Sequence, residues 1–142
     1  MRLRVTLIIV HNEEILLIDR RRNGRSYYVI PGGGVEPGES LAQAAVREAR
    51  EELSLDVELG PLLYARPWDD GRFQQMEFAF LVTAYSGHPA LLDPEMLAKQ
   101  TPNNVYVLRW RPLAELDGSP CYPGPILPGV LELVNSEWQS DH

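Results

Sequence analysis

A chain of 142 residues with 44% hydrophobic and 23% charged side chains suits one soluble globular domain with a respectable core. Its net charge of −7 disfavours non-specific binding to nucleic acid, and a lone cysteine, Cys121, excludes an internal disulfide. The opening MRLRVTLIIV is too short and too soon interrupted for a signal or membrane segment, which predicts a cytoplasmic protein without a membrane partner.

Leu3, Val5, Leu7 and Ile9 alternate with Arg2, Arg4, Thr6 and Ile8, predicting a first strand buried more on one face. A turn at His11-Asn12-Glu13 and a second strand from Glu14 to Asp19 complete a hairpin. The run Arg20-Arg21-Arg22-Asn23-Gly24-Arg25 reads as a basic loop around a glycine turn. It is either a solvated loop or one that offers Arg20 and Arg22 to substrate phosphate, for which the guanidinium fork is well shaped. A short strand, Tyr27 to Ile30, leads into Pro31 and then Gly32, Gly33 and Gly34, where backbone can approach a ligand closely. No Gly-Lys-Ser/Thr comes after them, which excludes a P-loop. Pro37 takes the last glycine position of a dinucleotide fingerprint starting at Gly32 and excludes that too.

Ser40 and Gln43 form a capping box that opens a helix. At about 100° per residue, Glu48, Glu51 and Glu52 fall within a sector of roughly 100°, with the small Ala44 among them and Arg47 at its flank. Leu41, Ala42, Ala45, Val46, Ala49 and Leu53 form a separate apolar stripe. Glu48 and Glu52 repel one another at i,i+4, which a face built only for solubility would avoid. Three carboxylates on one side make sense under a hard divalent cation with oxygen ligands.

Asp56 to Arg66 is strand-like around a Gly60-Pro61 break, 68–72 reads as a hairpin turn, and Phe73 to Tyr85 is the longest strand. Within it Met76, Phe78, Phe80 and Val82 face one way and Gln75, Glu77, Ala79 and Leu81 the other. Glu77 is an anomaly there: it is a structural ion pair, or else an extra ligand, base or substrate contact. The polar stretch 86–104 holds a short helix, Pro94 to Lys99, and is either a plain surface loop or one whose Asp93 and Glu95 reach the metal carboxylates. The next strand is Val105 to Trp110. A proline-rich connection, 120–128, then leads to a terminal amphipathic helix begun by Pro128 and carrying Val130, Leu131, Leu133, Val134 and Trp138.

Gly33, Glu39, Arg47, Glu48, Glu51, Glu52 and Leu55 stand in the register of the Nudix box, and residues 33–55 resemble it closely. Ala49 is smaller than the usual aliphatic residue, and Ser54 stands where a glycine is expected. Arg111 to Leu116 also resembles the segment that comes after the last strand in Nudix domains. This resemblance to the MutT-like Nudix hydrolases implies an α/β fold, the Nudix α/β/α sandwich with a mixed β-sheet between helices, formed by residues 1–142 as a single domain.

The resemblance further implies a pyrophosphohydrolase that uses Mg²⁺, with Mn²⁺ as an alternative, to cleave a nucleoside diphosphate linked to another moiety. Glu48, Glu51, Glu52 and the backbone at Gly33 would hold metal. Arg47 would orient the carboxylates, and one of Glu48, Glu51, Glu52 or Glu77 would serve as base. The nucleotide-type substrate would meet Arg20, Arg22, Tyr28, Gly33, Gly34 and Trp68. Pro67 lies too near the box for the proline marker of ADP-ribose hydrolysis, so nucleoside triphosphates and nucleotide sugars are the expected substrates. A catalytically silent nucleotide sensor and an allylic diphosphate isomerase are rivals. The full set of box carboxylates argues against the first, and Cys121 in a proline-rich loop against the second. Homodimerisation is common in the family and no sequence feature decides it.

Overall fold

The computed structural model describes residues 1–69, 71–116, 121–123, 132 and 134. The strands are β1 (Arg2–His11), β2 (Glu14–Arg22), β3 (Arg25–Val29), β4 (Gly32–Gly34), β5 (Asp56–Asp69), β6 (Gln74–Ser86), β7 (Asn104–Pro112) and β8 (Cys121–Tyr122). The helices are α1 (Leu41–Leu53) and α2 (Pro94–Ala98), with a 3-10 turn at Leu113–Glu115. One mixed sheet runs in the order β5-β6-β1-β2-β3-β8, with β4 also pairing β1 and β7 pairing β2. Among the described residues, no helix is long and apolar enough to cross a membrane.

β1 is the axis of this sheet. It pairs in parallel with β6 from Arg2↔Gln75 to Ile9↔Val82, and antiparallel with β4 from Arg4↔Gly34 to Thr6↔Gly32. Its far end meets β2 through Val10↔Ile15. A strand so enclosed is covered on both sides, which corrects the expectation of one buried face. Val5, Leu7 and Ile9 pack with Ala44, Ala45, Ala49 and Leu53 of α1, whereas Ile8 joins Ile15, Leu17, Ile30, Leu81 and Leu113 on the other face. Two cores thus sandwich the sheet, as an α/β/α arrangement requires.

Both hairpin turns are tighter than the sequence suggests. Asn12 and Glu13 have φ of 51° and 63°, and Asn23 and Gly24 have 51° and 78°. Two successive positive φ values match the right-handed twist of flanking strands. The second turn therefore shortens the supposed basic loop to two residues: Arg20 to Arg22 belong to β2 and Arg25 to β3. Alternation then sends Arg20 and Arg22 to one face and Arg21 to the other. β5 is likewise one strand, bulged between Glu58 and Tyr64. Pro61 is tolerated because β5 lies at the sheet edge, where a missing N–H leaves no ladder bond unmade.

α1 begins as expected. The Ser40 hydroxyl accepts from the Gln43 N–H at 3.0 Å, and the Gln43 side chain accepts from the Ser40 N–H at 2.9 Å. Its buried face is rotated from the expected stripe: Ala44 is fully buried, while Ala42 is exposed and Val46 half-buried. The sector of carboxylates therefore straddles the boundary between core and solvent. α1 ends at Ser54 in the left-handed conformation, φ 61° and ψ 33°. α2 confirms the short helix, with the Asp93 carboxylate capping the N–H groups of Glu95 and Met96. Of the terminal helix, Glu132 and Val134 are helical, and Val134 is buried in the core. Its other residues, and the proline-rich connection apart from 121–123, lie outside the described residues.

On β6 the buried face is the polar-starting one, Gln75, Glu77, Ala79 and Leu81. Glu77 is 0% exposed. It accepts from the Thr6 hydroxyl at 2.8 Å and from Arg66 Nε at 2.6 Å, so it cross-links β1, β6 and β5. Removing one partner of such a buried pair strands the other's charge. Glu77→Ala is expected to lower the unfolding free energy by about 3 kcal/mol, read from urea denaturation; an unchanged midpoint would refute the cross-link. Ser54→Gly is expected to raise stability by about 1 kcal/mol, since a side chain in the left-handed region carries a cost that glycine avoids. A lowered melting temperature in that variant would contradict this account of the helix end.

Candidate active site

The chain leaves β3 paired with β2 and enters β4 paired with β1, turning at Ile30 and Pro31. This change of partner lays the three glycines beside α1. A Cβ on Gly32 would overlap the Val5 carbonyl oxygen, and one on Gly33 would overlap the Glu48 carboxyl. Glycine at both positions is thus a steric requirement, because β4 is squeezed between β1 and the carboxylates of the helix.

Arg47 organises what lies above. Its Nε and Nη2 donate to the two oxygens of Glu39 at 2.7 and 2.9 Å, a bidentate pair. Nη1 donates to Glu48 at 2.9 Å and to Glu51 at 3.1 Å, and Nη2 also donates to the Gly34 carbonyl at 2.9 Å. This hydrogen bonding holds the Glu39 carboxyl down at about 2. Glu52 points away from Arg47 and accepts from the Gly32 N–H at 3.2 Å.

The three box carboxylates sit in three environments. Glu51 is 62% exposed, Glu48 15% and Glu52 4%. Burial raises the Glu48 carboxyl, with hydrogen bonding from Arg47 working against it. Burial pushes Glu52 up to about 8, opposed by the charge of Arg4 and the Gly32 N–H. Arg4 reaches this spot by donating from Nη2 to the Ile30 carbonyl at 2.8 Å. Among the described residues, no three His, Cys, Asp or Glu side chains already converge on one metal position. The donors nevertheless fit Mg²⁺. They are all oxygens, Glu52 is a nearly buried carboxylate with no ion pair among the described residues, and Mg²⁺ ordinarily takes one or two carboxylates and leaves positions for substrate phosphate.

Beside Glu52 the chain of residues 90–92 is tied down, with Leu92 N–H donating to the Glu52 carbonyl at 2.8 Å. From there a cleft of about 300 Å³ opens between the sheet and α2, lined by Arg20, Tyr27, Asp93, Met96, Tyr106 and Tyr122 among others. Arg20 is brought into it, and Arg22 lies in the adjoining cavity. Tyr28 is not. It faces the opposite core, with the Arg111 guanidinium 5.9 Å from its ring. Trp68 meets Tyr122 edge-on at 4.8 Å and so stands behind one wall of the cleft. Glu77 lies across β1 from Gly34 and is held by Thr6 and Arg66, apart from the carboxylates that Arg47 gathers. The sequence reading missed Arg4 and Tyr106, whereas Tyr27 was among the aromatics it weighed for stacking a base. Only Arg4 carried a signal, a charge within an otherwise buried strand.

A family model described as the NUDIX domain matches residues 1–127. This chain belongs to the Nudix family. It is 36% identical over 83 residues to an ADP-ribose pyrophosphatase of Methanocaldococcus jannaschii, a match covering 56% of this chain and 49% of that protein. It is 31% identical over 93 residues to the NAD-capped RNA hydrolase NudC of Pectobacterium carotovorum, covering 66% of this chain and 35% of that protein. The matches thus span half or less of those curated relatives. Among solved structures, the E. coli ORF135 protein superposes with a TM-score of 0.67 at 25% identity, covering 99% of this chain and 89% of that one. A MutT NUDIX hydrolase from Burkholderia pseudomallei gives 0.65 at 25% identity, covering 96% of each. The Nudix α/β fold read from the sequence is therefore established.

The raised Glu52 carboxyl gives the metal-free Nudix protein a defined pH dependence. An unfolded glutamate titrates near 4.5 and the folded one near 8, so the native state binds the extra proton between these values. Stability is then full below the lower value and is lost as pH rises through the upper one. In chelator, the melting temperature of the wild type is expected to fall steadily from pH 5.5 to 8.5, and to fall less in Glu52→Gln. Mg²⁺ should restore more stability at the alkaline end, because it takes the ionised ligand. A flat wild-type profile would contradict the burial of this carboxyl.

Proposed function

We propose that residues 1–142 form one Nudix domain acting in the cytoplasm as a Mg²⁺-dependent pyrophosphohydrolase on a nucleoside diphosphate linked to another moiety. One observation carries this reading: Arg47 gathers Glu39, Glu48 and Glu51 above a glycine turn, while Glu52 lies buried against the N–H of that turn. When bound, the metal would neutralise the diphosphate and lower the pKa of water. Glu48 and Glu52 are the proposed principal ligands, with Glu51 as a ligand or base.

The chain's own part is positioning, which is most of what phosphoryl chemistry requires of a protein. Arg47 fixes the carboxylates against their mutual repulsion and ties the 34–39 turn to α1. Gly32 and Gly33 let β4 lie close against β1 and Glu48, and exposed Gly34 is where a diphosphate can approach the backbone. Arg4 adds a positive charge beside Glu52 where the departing phosphate develops its own negative charge. Water adds to one phosphorus as the bridging P–O bond breaks, and the water's proton passes to a carboxylate. The aromatic cleft beyond Asp93 is the proposed seat of the nucleoside or its linked group, through stacking on Tyr27 or Tyr106.

Similarity to an ADP-ribose pyrophosphatase and an NAD-capped RNA hydrolase supports trying ADP-ribose and NAD-capped RNA alongside the nucleoside triphosphates and nucleotide sugars expected from sequence markers. The test is a Mg²⁺ assay over these four classes, with products resolved by chromatography. Wild type is expected to release a mononucleotide from at least one class and to stop in chelator. Glu52→Gln should lose roughly a hundredfold or more in kcat, since a metal's stabilisation of the transition state is worth several kcal/mol. Arg47→Lys should lose about 10- to 100-fold, as expected for a residue that orients ligands. Nucleotide binding without turnover in any class would replace this reading with that of a sensor.

A further inference from the structure

Past the aromatic cleft lies a second cavity of about 490 Å³, whose wall includes Arg20, Arg22, Asn23, Lys99, Asn103 and Asn104. The two adjoin at Arg20 and Lys99, and the first has Asp93 in its lining. Its walls are fixed. Asn23 N–H donates to the Asn103 carbonyl at 3.0 Å, the Asn104 side chain donates to the Lys99 carbonyl at 3.0 Å, and Thr101 and Asn104 exchange two backbone bonds.

Among the described residues, no carboxylate lines this second cavity. Lys99 is paired with Glu95 at 2.7 Å on the side of the first cleft, while Arg20 and Arg22 have no ion pair among the described residues. Arg20 is nonetheless held in place. Its Nε donates to Asn104 at 3.2 Å and Nη1 to the Tyr27 hydroxyl, and its guanidinium carbon sits 5.5 Å from the Tyr27 ring and 4.9 Å from the Tyr106 ring. Nη2 makes no hydrogen bond among the described residues. An arginine left for solubility explores many rotamers; this one is clamped on two rings with one edge of its fork open. In a protein of net charge −7, a cavity beside a substrate-sized cleft that holds two arginines without an ion pair among the described residues points to an anion.

We propose that this cavity binds a phosphate monoester carried by the substrate at the end remote from the scissile diphosphate. It rests on the pyrophosphohydrolase reading of the box. The preferred substrates are then nucleoside-diphosphate-linked compounds with a further phosphate, for instance on a ribose 2′ or 3′ oxygen. Arg20 and Arg22 supply the planar forks that match phosphate oxygens, and Lys99 supplies a point charge.

Calorimetry in chelator, where no hydrolysis occurs, tests the site directly. Adenosine 2′,5′-bisphosphate and 3′,5′-bisphosphate are compared with AMP on wild type, Arg22→Gln and Lys99→Gln. At least one bisphosphate should bind wild type about tenfold tighter than AMP, the usual effect of added charge-assisted hydrogen bonds. That preference should fall to about threefold or less in Arg22→Gln and weaken as salt is raised. Equal affinity for the three nucleotides, no measurable binding of either bisphosphate, or an undiminished preference in both variants overturns the proposal. Turnover of ADP-ribose and its 2′-phosphate with Mg²⁺ is measured alongside. A bisphosphate preference without cleavage of either compound leaves the anion site standing and removes the hydrolase reading. Cleavage without any preference does the reverse.

Discussion

The five donor protons of Arg47 face Glu39, Glu48, Glu51 and the Gly34 carbonyl together, and the shape of the site depends on that fork. Three glutamates within 13 residues of sequence, Glu39, Glu48 and Glu51, would splay apart in its absence. A lysine offers three donors from one point and cannot span them. By taking Glu39 in a bidentate pair, Arg47 also pins the turn ahead of α1, so that the glycines stay beneath Glu48.

The second constraint is the sheet. β1 serves β6, β4 and β2 at once, and its parallel pairing with β6 requires both faces to be covered. α1 covers one face with small alanines, which let the helix approach until Glu48 meets Gly33 and Glu52 meets Gly32. The other face carries Glu77, whose charge is answered by Arg66 and Thr6. Close packing of α1 and burial of Glu52 are thus one event. The raised carboxyl is its consequence and makes a cation at this spot favourable.

Two adjoining cavities run from Asp93, whose charge acts on Glu52, along β2. Their near end is anionic and their middle is walled by Tyr27, Met96 and Tyr106. Their far end is cationic through Arg20 and Arg22. Under the proposed function, opposite charges at the two ends would give an elongated substrate a direction, with its diphosphate at one end and an anionic group at the other.

The sequence by itself determined the parts governed by local rules. The box register, the capping box at Ser40 and Gln43, the hairpins and the strand alternation all arise from contacts within a few residues, where propensity and periodicity act. What it could not determine was which face each alternation buries, because that depends on partners distant in the chain. Glu77 stayed open between an ion pair and a site carboxylate, and only the pairing of β6 with β5 and β1 brings Arg66 and Thr6 to it. Tyr28 and Tyr27 are neighbours in sequence, yet a strand's twofold alternation sends one into the core and the other into the cleft. Arg20 to Arg22 read as a loop because glycine and charge signal a turn, while pairing with β7 along their whole length extends them as strand. The differing burial of Glu48, Glu51 and Glu52 was equally beyond the sequence: a helical wheel gives angles, and only the docking of α1 on β1 and β4 decided which angle points into the protein.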